Sequence, residues 1–184
     1  MPFNNYIAFL LLFIFVSCHS KIEIDAKDTT KKNGLVFYKD KPFSGQTNLY
    51  YNDFILAETI EYTKGKKNGL RRKWFKNGIL SFESNYLQNR KEGISKTWWS
   101  NGVLRSKTYF VEGIVQGKNL QWYKSGQLFK EMNYIDGKEV GMQKAWRENG
   151  QIYNNYQAKN GRIFGLKRAN LCYELEDEEV QYKD

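Results

Sequence analysis

The feature that most constrains this chain is a glycine that returns every 24 residues, at Gly45, Gly69, Gly93, Gly117, Gly141 and Gly165. Five residues after each of the first five stands an aromatic: Tyr50, Trp74, Trp98, Trp122 and Trp146. A second glycine follows at Gly78, Gly102, Gly126 and Gly150, preceded by Asn77, Asn101, Ser125 and Asn149. An aliphatic comes next, at Leu56, Leu80, Leu104, Leu128 and Ile152, and no insertion breaks the period over five copies. A turn glycine every 11 to 13 residues would interrupt any helix, which excludes a helical solenoid.

A second set of turn residues lies eleven positions after the first: Gln88-Asn89, Glu112-Gly113, Asp136-Gly137 and Asn160-Gly161, with Lys64-Gly65 ahead of them. Gly, Asn and Asp tolerate the positive φ of tight hairpin turns. The segments between turns have ordinary strand lengths of about six to eight residues. One repeat therefore makes two antiparallel strands, and the fold class is all-β, an elongated meander of antiparallel β-hairpins. A three-residue loop, Lys76-Asn77-Gly78, sets Trp74 opposite Leu80, whereas a two-residue loop would set it opposite Ser81. The three-residue loop is the expectation, because it keeps the tryptophan with the aliphatic column. Leu80 and Tyr86, six apart in one strand, are then expected on one face. Trp74, Trp98, Trp122 and Trp146 become the structural core of the repeats. Phe75, Trp99 and Tyr123, next to that column, are expected to face the other way, with Arg71 and Lys73. These five are the candidate binding surface.

The ends depart from the template, as capping units do. The first copy has Asp53-Phe54 in place of Asn-Gly, and Gly34-Leu35-Val36-Phe37-Tyr38 and Pro42-Phe43-Ser44-Gly45 lead into it. The unit Gly-x4-Trp-aromatic-x-Asn-Gly-x-Leu, followed by an aromatic and a turn glycine, resembles the bacterial MORN-repeat variant. The resemblance runs over roughly 34–168. It implies a β-hairpin array that acts by protein or membrane contact, and it supplies no catalytic residues to carry over. Its members often carry the label of YwqK-type antitoxins, which implies an alternative role as an antitoxin or immunity-type inhibitor of a toxin partner.

The ten apolar residues Ile7–Val16 are too few to span a bilayer, which takes about 20, and fit the apolar region of a secretory signal. They run into Phe15-Val16-Ser17-Cys18, which resembles the lipobox of bacterial lipoproteins. That resemblance implies cleavage of 1–17, acylation of Cys18 and a location in the bacterial cell envelope, lipid-anchored, facing the periplasm or the surface. An uncleaved anchor and a buried strand are the alternatives. Residues 18–33 are polar and read as a lipidated tether. The array is placed at 34–170 and an acidic tail at 171–184. Cys172 has no second partner once Cys18 is acylated and reads as a small packed hydrophobe.

The last eleven residues, Glu174 to Asp184, hold six acids and one lysine, a net −5, which leaves about +14 on the rest of a chain whose total is +9. A basic body suits an anionic partner, although lysines on exposed strands also keep sheets soluble. The expected partners are a membrane, through the lipid, and a protein or anionic envelope component. An envelope address disfavours nucleic acid. The one histidine, His19, lies in the tether, so the array has no histidine-based triad and no His/Cys metal site. No phosphate loop of the Gly-x4-Gly-Lys type occurs. No enzyme activity, cofactor, metal or small-molecule substrate is expected.

Overall fold

The computed structural model describes residues 21–52 and 54–166. The segment expected to be a signal, Cys18, Cys172 and the acidic tail lie outside the described residues. The strands are β1 (Glu23–Asp25), β2 (Thr30–Lys32), β3 (Leu35–Tyr38), β4 (Lys41–Pro42), β5 (Gly45–Tyr50), β6 (Leu56–Thr63), β7 (Lys66–Trp74), β8 (Leu80–Leu87), β9 (Arg90–Trp98), β10 (Leu104–Val111), β11 (Ile114–Trp122), β12 (Leu128–Ile135), β13 (Lys138–Glu139), β14 (Gly141–Trp146), β15 (Ile152–Lys159) and β16 (Arg162–Leu166). From β5 to β16 they form one antiparallel meander, in which each strand pairs with the next and β13 sits beside β12.

The two turn columns build two kinds of hairpin. At the first, Phe75 N–H donates to the Ile79 carbonyl (2.8 Å) and Gly78 N–H to the Phe75 carbonyl (2.9 Å). Gly78 takes φ +80°, so the loop is the three-residue Lys76-Asn77-Gly78. Trp74 then pairs with Leu80, as Trp98 does with Leu104, Trp122 with Leu128 and Trp146 with Ile152. At the second, two residues of positive φ make a mirror-image turn that matches the strand twist, as at Gln88-Asn89 (φ 49° and 71°).

Two expectations about the core need correction. Lys73 pairs with Phe82 but Trp74 pairs with Leu80, so Ser81 is an extra residue in the ladder. That bulge reverses the alternation, and Leu80 and Tyr86 lie on opposite faces. The tryptophans Trp74, Trp98, Trp122 and Trp146 are only half-buried. Most buried positions of the array lie instead on the Tyr86 face, among them Ile60, Tyr62, Ser84, Ser95, Thr108, Gln143, Ala145 and Tyr156, while Ala57 and Thr59 are buried on the other. A single sheet has no second layer to cover large rings, so small side chains lying beneath long neighbours become its most enclosed sites.

Residues 21–33, expected as a tether, form part of the fold. β1 pairs parallel with β5, Glu23 to Gln46, and covers what would be its open edge. Gln46 N–H donates to the Ile22 carbonyl (2.8 Å). β2, β3 and β4 make a small separate sheet. It brings Val36 and Phe43 against Ile60 and Tyr62, with Ile24 and Tyr38 packed around them. Backbone pairing holds this segment, so its low apolar content was a poor guide.

Candidate binding surface

Between Ile60 and Tyr62 the ladder to β7 is irregular, and Glu61 faces the stretch Asn68-Gly69-Leu70. The Glu61 carboxylate accepts the Leu70 N–H (3.1 Å), replacing a ladder bond. Past this irregularity, Arg71 and Lys73 stand beside Glu58 of β6 and Ser84 and Phe82 of β8. The Arg71 guanidinium donates to Glu58 Oε1 from Nε at 2.8 Å and lies 2.7 Å from it through Nη2. It lies 5.6 Å over the Phe82 ring and reaches the Tyr86 hydroxyl at 3.5 Å. Lys73 Nζ is 3.6 Å from the same Glu58 oxygen.

Two further cations complete the group. Lys67 Nζ stands 5.3 Å from the Tyr86 ring centre. Lys91 Nζ stands 5.4 Å from that of Phe82 and 4.6 Å from that of Phe110. Neither ammonium has an ion pair among the described residues. Both are half-buried. Burial, then the Arg71 charge, pushes both below the ordinary lysine range. Against Glu58, the four cations Lys67, Arg71, Lys73 and Lys91 leave a net +3 on three rings and Ser84. Beside Lys67, a cavity of ≈ 230 Å³ opens between the small sheet and the array, bordered by Lys31, Val36, Tyr62 and Asn89.

The structure divides the five candidate residues between two places. Arg71 and Lys73 belong to this mid-sheet group. Trp99 and Tyr123 stand at the three-residue-loop end and fasten one repeat to the next. Trp99 Nε1 donates to the Trp122 carbonyl (3.0 Å) and the Tyr123 hydroxyl to that of Trp146 (2.9 Å). Tyr51 does the same to Trp74 (2.8 Å). Trp99 also stacks on Arg105 (4.4 Å) and Tyr123 on Phe129 (4.8 Å). Phe75 is half-buried at the same end. Asn77 and Asn101 add a donor each to the carbonyls of Ser100 and Lys124, both at 2.9 Å. Sequence reading missed Lys67 and Lys91. Their signal was a lysine at one template position in two consecutive copies, flanking Tyr86, where Val115 and Glu139 follow later.

Residues 67–88, 91–112 and 115–136 match the MORN repeat variant. Each matched segment is one hairpin: β7–β8, β9–β10 or β11–β12. No curated protein matches the chain. MORN repeats of this kind point to a repeat-built binding protein. The hairpins on either side keep the spacing but depart from the motif. In the first, Tyr51 N–H still reaches the Ile55 carbonyl (2.8 Å), but Phe54 replaces the loop glycine and is 91% exposed. In the last, the strand opposite β12 is split into β13 and β14. The MORN units also differ from one another in charge. The Arg71 position holds Ser95, Asn119 and Gln143 in later copies, and the Lys73 position holds Thr97, Gln121 and Ala145. The cationic group is therefore one local site, not a track along the array.

Proposed function

We propose that this chain is a non-enzymatic binding module of the bacterial cell envelope, held to a membrane by lipid on Cys18. Its working surface is the cationic face of the first MORN units, and its partner is an anionic protein or envelope component. The observation that carries this reading is the cluster of Lys67, Arg71, Lys73 and Lys91 around Phe82 and Tyr86, with a single carboxylate between them. Mixed cation and aromatic surfaces recognise acidic groups, because the rings shape the site while the charges supply attraction. The short distance from Cys18 to β1 supports an arrangement close to the bilayer. Only four residues, 19–22, separate them.

Intact mass of the membrane-extracted protein, beside Cys18→Ala, tests the address. Loss of 1–17 with added acyl mass, both absent in the variant, is the expected result. A full-length unmodified chain overturns it. Binding is tested by sedimentation with envelope fragments. Reversing Arg71 would set a second carboxylate against Glu58, so the informative variant is Lys67→Met with Lys91→Met, which keeps the apolar stems. It should lower the bound fraction without lowering Tm, and unchanged binding would remove these lysines from the site.

A further inference from the structure

The cationic group is arranged as though a counter-charge belonged on it. Lys67 and Lys91 are half-buried beside Arg71, and neither makes an ion pair among the described residues. Half-buried ammonium groups in a like-charge field carry a standing electrostatic cost that an anion would relieve. The same chain holds a matching anion. Glu174 to Asp184 contains the run Glu176-Asp177-Glu178-Glu179, four consecutive acids in a segment of net −5.

We propose that the Lys67–Arg71–Lys91 face is an interaction surface for a carboxylate-rich peptide, and that its resident occupant is the chain's own segment Glu174–Asp184. The proposal rests on the reading of this face as the binding surface and adds its regulation. The tail holds the site until a stronger acidic partner displaces it.

Charge and reach both fit. The described array ends at Leu166 in β16, which is six strand spacings from β9, or ~29 Å at about 4.8 Å each. The twelve residues from 167 to Glu178 reach about 40 Å when extended. The acids can thus meet Lys91 within one molecule, and β7 with Arg71 and Lys67, eight spacings or ~38 Å away, lies just within the reach of Glu178 and Glu179. Lys159 and Arg162, nearer the tail, are exposed, and an exposed ion pair contributes only about 0–1 kcal/mol. The site is also confined. Beyond the second MORN unit its cationic positions hold Val115, Asn119 and Gln121, then Glu139, Gln143 and Ala145, so a short acidic run suits it better than a long one.

Zero-length carbodiimide coupling of the full chain, read by peptide mapping, tests this. Expected links join the 176–179 acids to Lys67, Lys73 and Lys91. An equal mixture of isotope-labelled and unlabelled chains should show them within one molecule. Links only to lysines outside the cluster overturn the proposal, and links only between chains overturn it in favour of a second copy as occupant. Lys67→Met with Lys91→Met leaves Lys73 as reporter. Its coupling to the tail should fall about fivefold as two of the attracting charges go. The pair Lys107→Met and Lys144→Met, whose backbone partners lie on the opposite face, should leave it unchanged. Unchanged Lys73 coupling in the first pair overturns the proposal. Amide replacement of the four acids should raise binding to envelope fragments about tenfold, because an intramolecular competitor is removed. Lysine-dependent binding to those fragments that does not respond to the amide replacement would end this inference and leave the proposed function standing.

Discussion

At the first hairpin of the array, β5–β6, the template positions that face inward hold Thr47, Ile60 and Tyr62. At the last, β14–β15, the same positions hold Gln143, Tyr156 and Ala158, and all six are buried. The first end is sealed from outside, by Val36 and Phe43 of the small sheet. The last has no such cover among the described residues and is satisfied from within. Gln143 accepts from Asn133 N–H (2.8 Å) and donates to the carbonyls of Asn133 (2.9 Å) and Val140 (3.0 Å). In this way it spans the gap between β13 and β14, where the Asn133 carbonyl still accepts the Val140 N–H (2.9 Å) but the Asn133 N–H turns to the Gln143 side chain. The Tyr156 hydroxyl donates to Glu139 (2.7 Å). One backbone template can thus be closed by an apolar lid or by a bonded amide, depending on what lies above it.

Removing the lid should have the largest effect. Phe43 is 4% exposed and meets the rings of Tyr38 and Tyr62 at 6.0 and 6.2 Å. Phe43→Ala should cost about 3–5 kcal/mol of local stability. Units of a repeat array couple mainly to their neighbours. Amide exchange should therefore rise over 21–65 and stay near wild type in β14 and β15. A rise of equal size at both ends would show that the two are one cooperative unit.

Removing the amide tests the other end. Gln143→Met keeps the volume and deletes three hydrogen bonds, which leaves the Asn133 N–H buried without its partner. A loss of about 1–3 kcal/mol is expected, with exchange rising at Asn133 and in β14 while the small sheet stays protected. A neutral result would mean that packing alone closes this end.

The contrast also explains what could be read from the sequence. Turn residues act locally, so Asn77-Gly78 fixed the loop, and the loop fixed Trp74 opposite Leu80. The burial of those tryptophans was not legible, because it depends on a second layer, and none covers them among the described residues. Ser81 looks like any strand residue, yet its place in the bulge reverses the face of Leu80. The pairing of β1 was hidden for a related reason. Residues 23–25 are held through backbone pairing to β5, which leaves no apolar pattern. Arg71 and Lys73 were placed on one face by alternation, as the register has them. Trp99 and Tyr123 were grouped with them by the same rule, but the register ties those two rings to carbonyls 23 residues further on.

The smallest effect belongs to the charges next to the lid. Lys67 and Lys91 titrate below their ordinary range, first through burial and then through Arg71. In the unfolded chain they return to about 10.4. Between the lowered value and that one, the unfolded chain binds more protons, so stability rises with pH across this window. Below the window both ammonium groups carry their full cost. Lys67→Met with Lys91→Met should therefore raise Tm at neutral pH, by about 1–2 °C once solvent screening is allowed for. The gain should shrink as pH climbs toward 10. Tyr62 and Tyr156 ionise with more difficulty when folded, chiefly through burial, so their opposing loss sets in above that pH and does not mask the trend. A docked acidic tail would already neutralise the two lysines. The gain should then be small in the natural chain and larger once the four tail acids are amides. A gain of equal size in both backgrounds would mean that the tail never reaches the site.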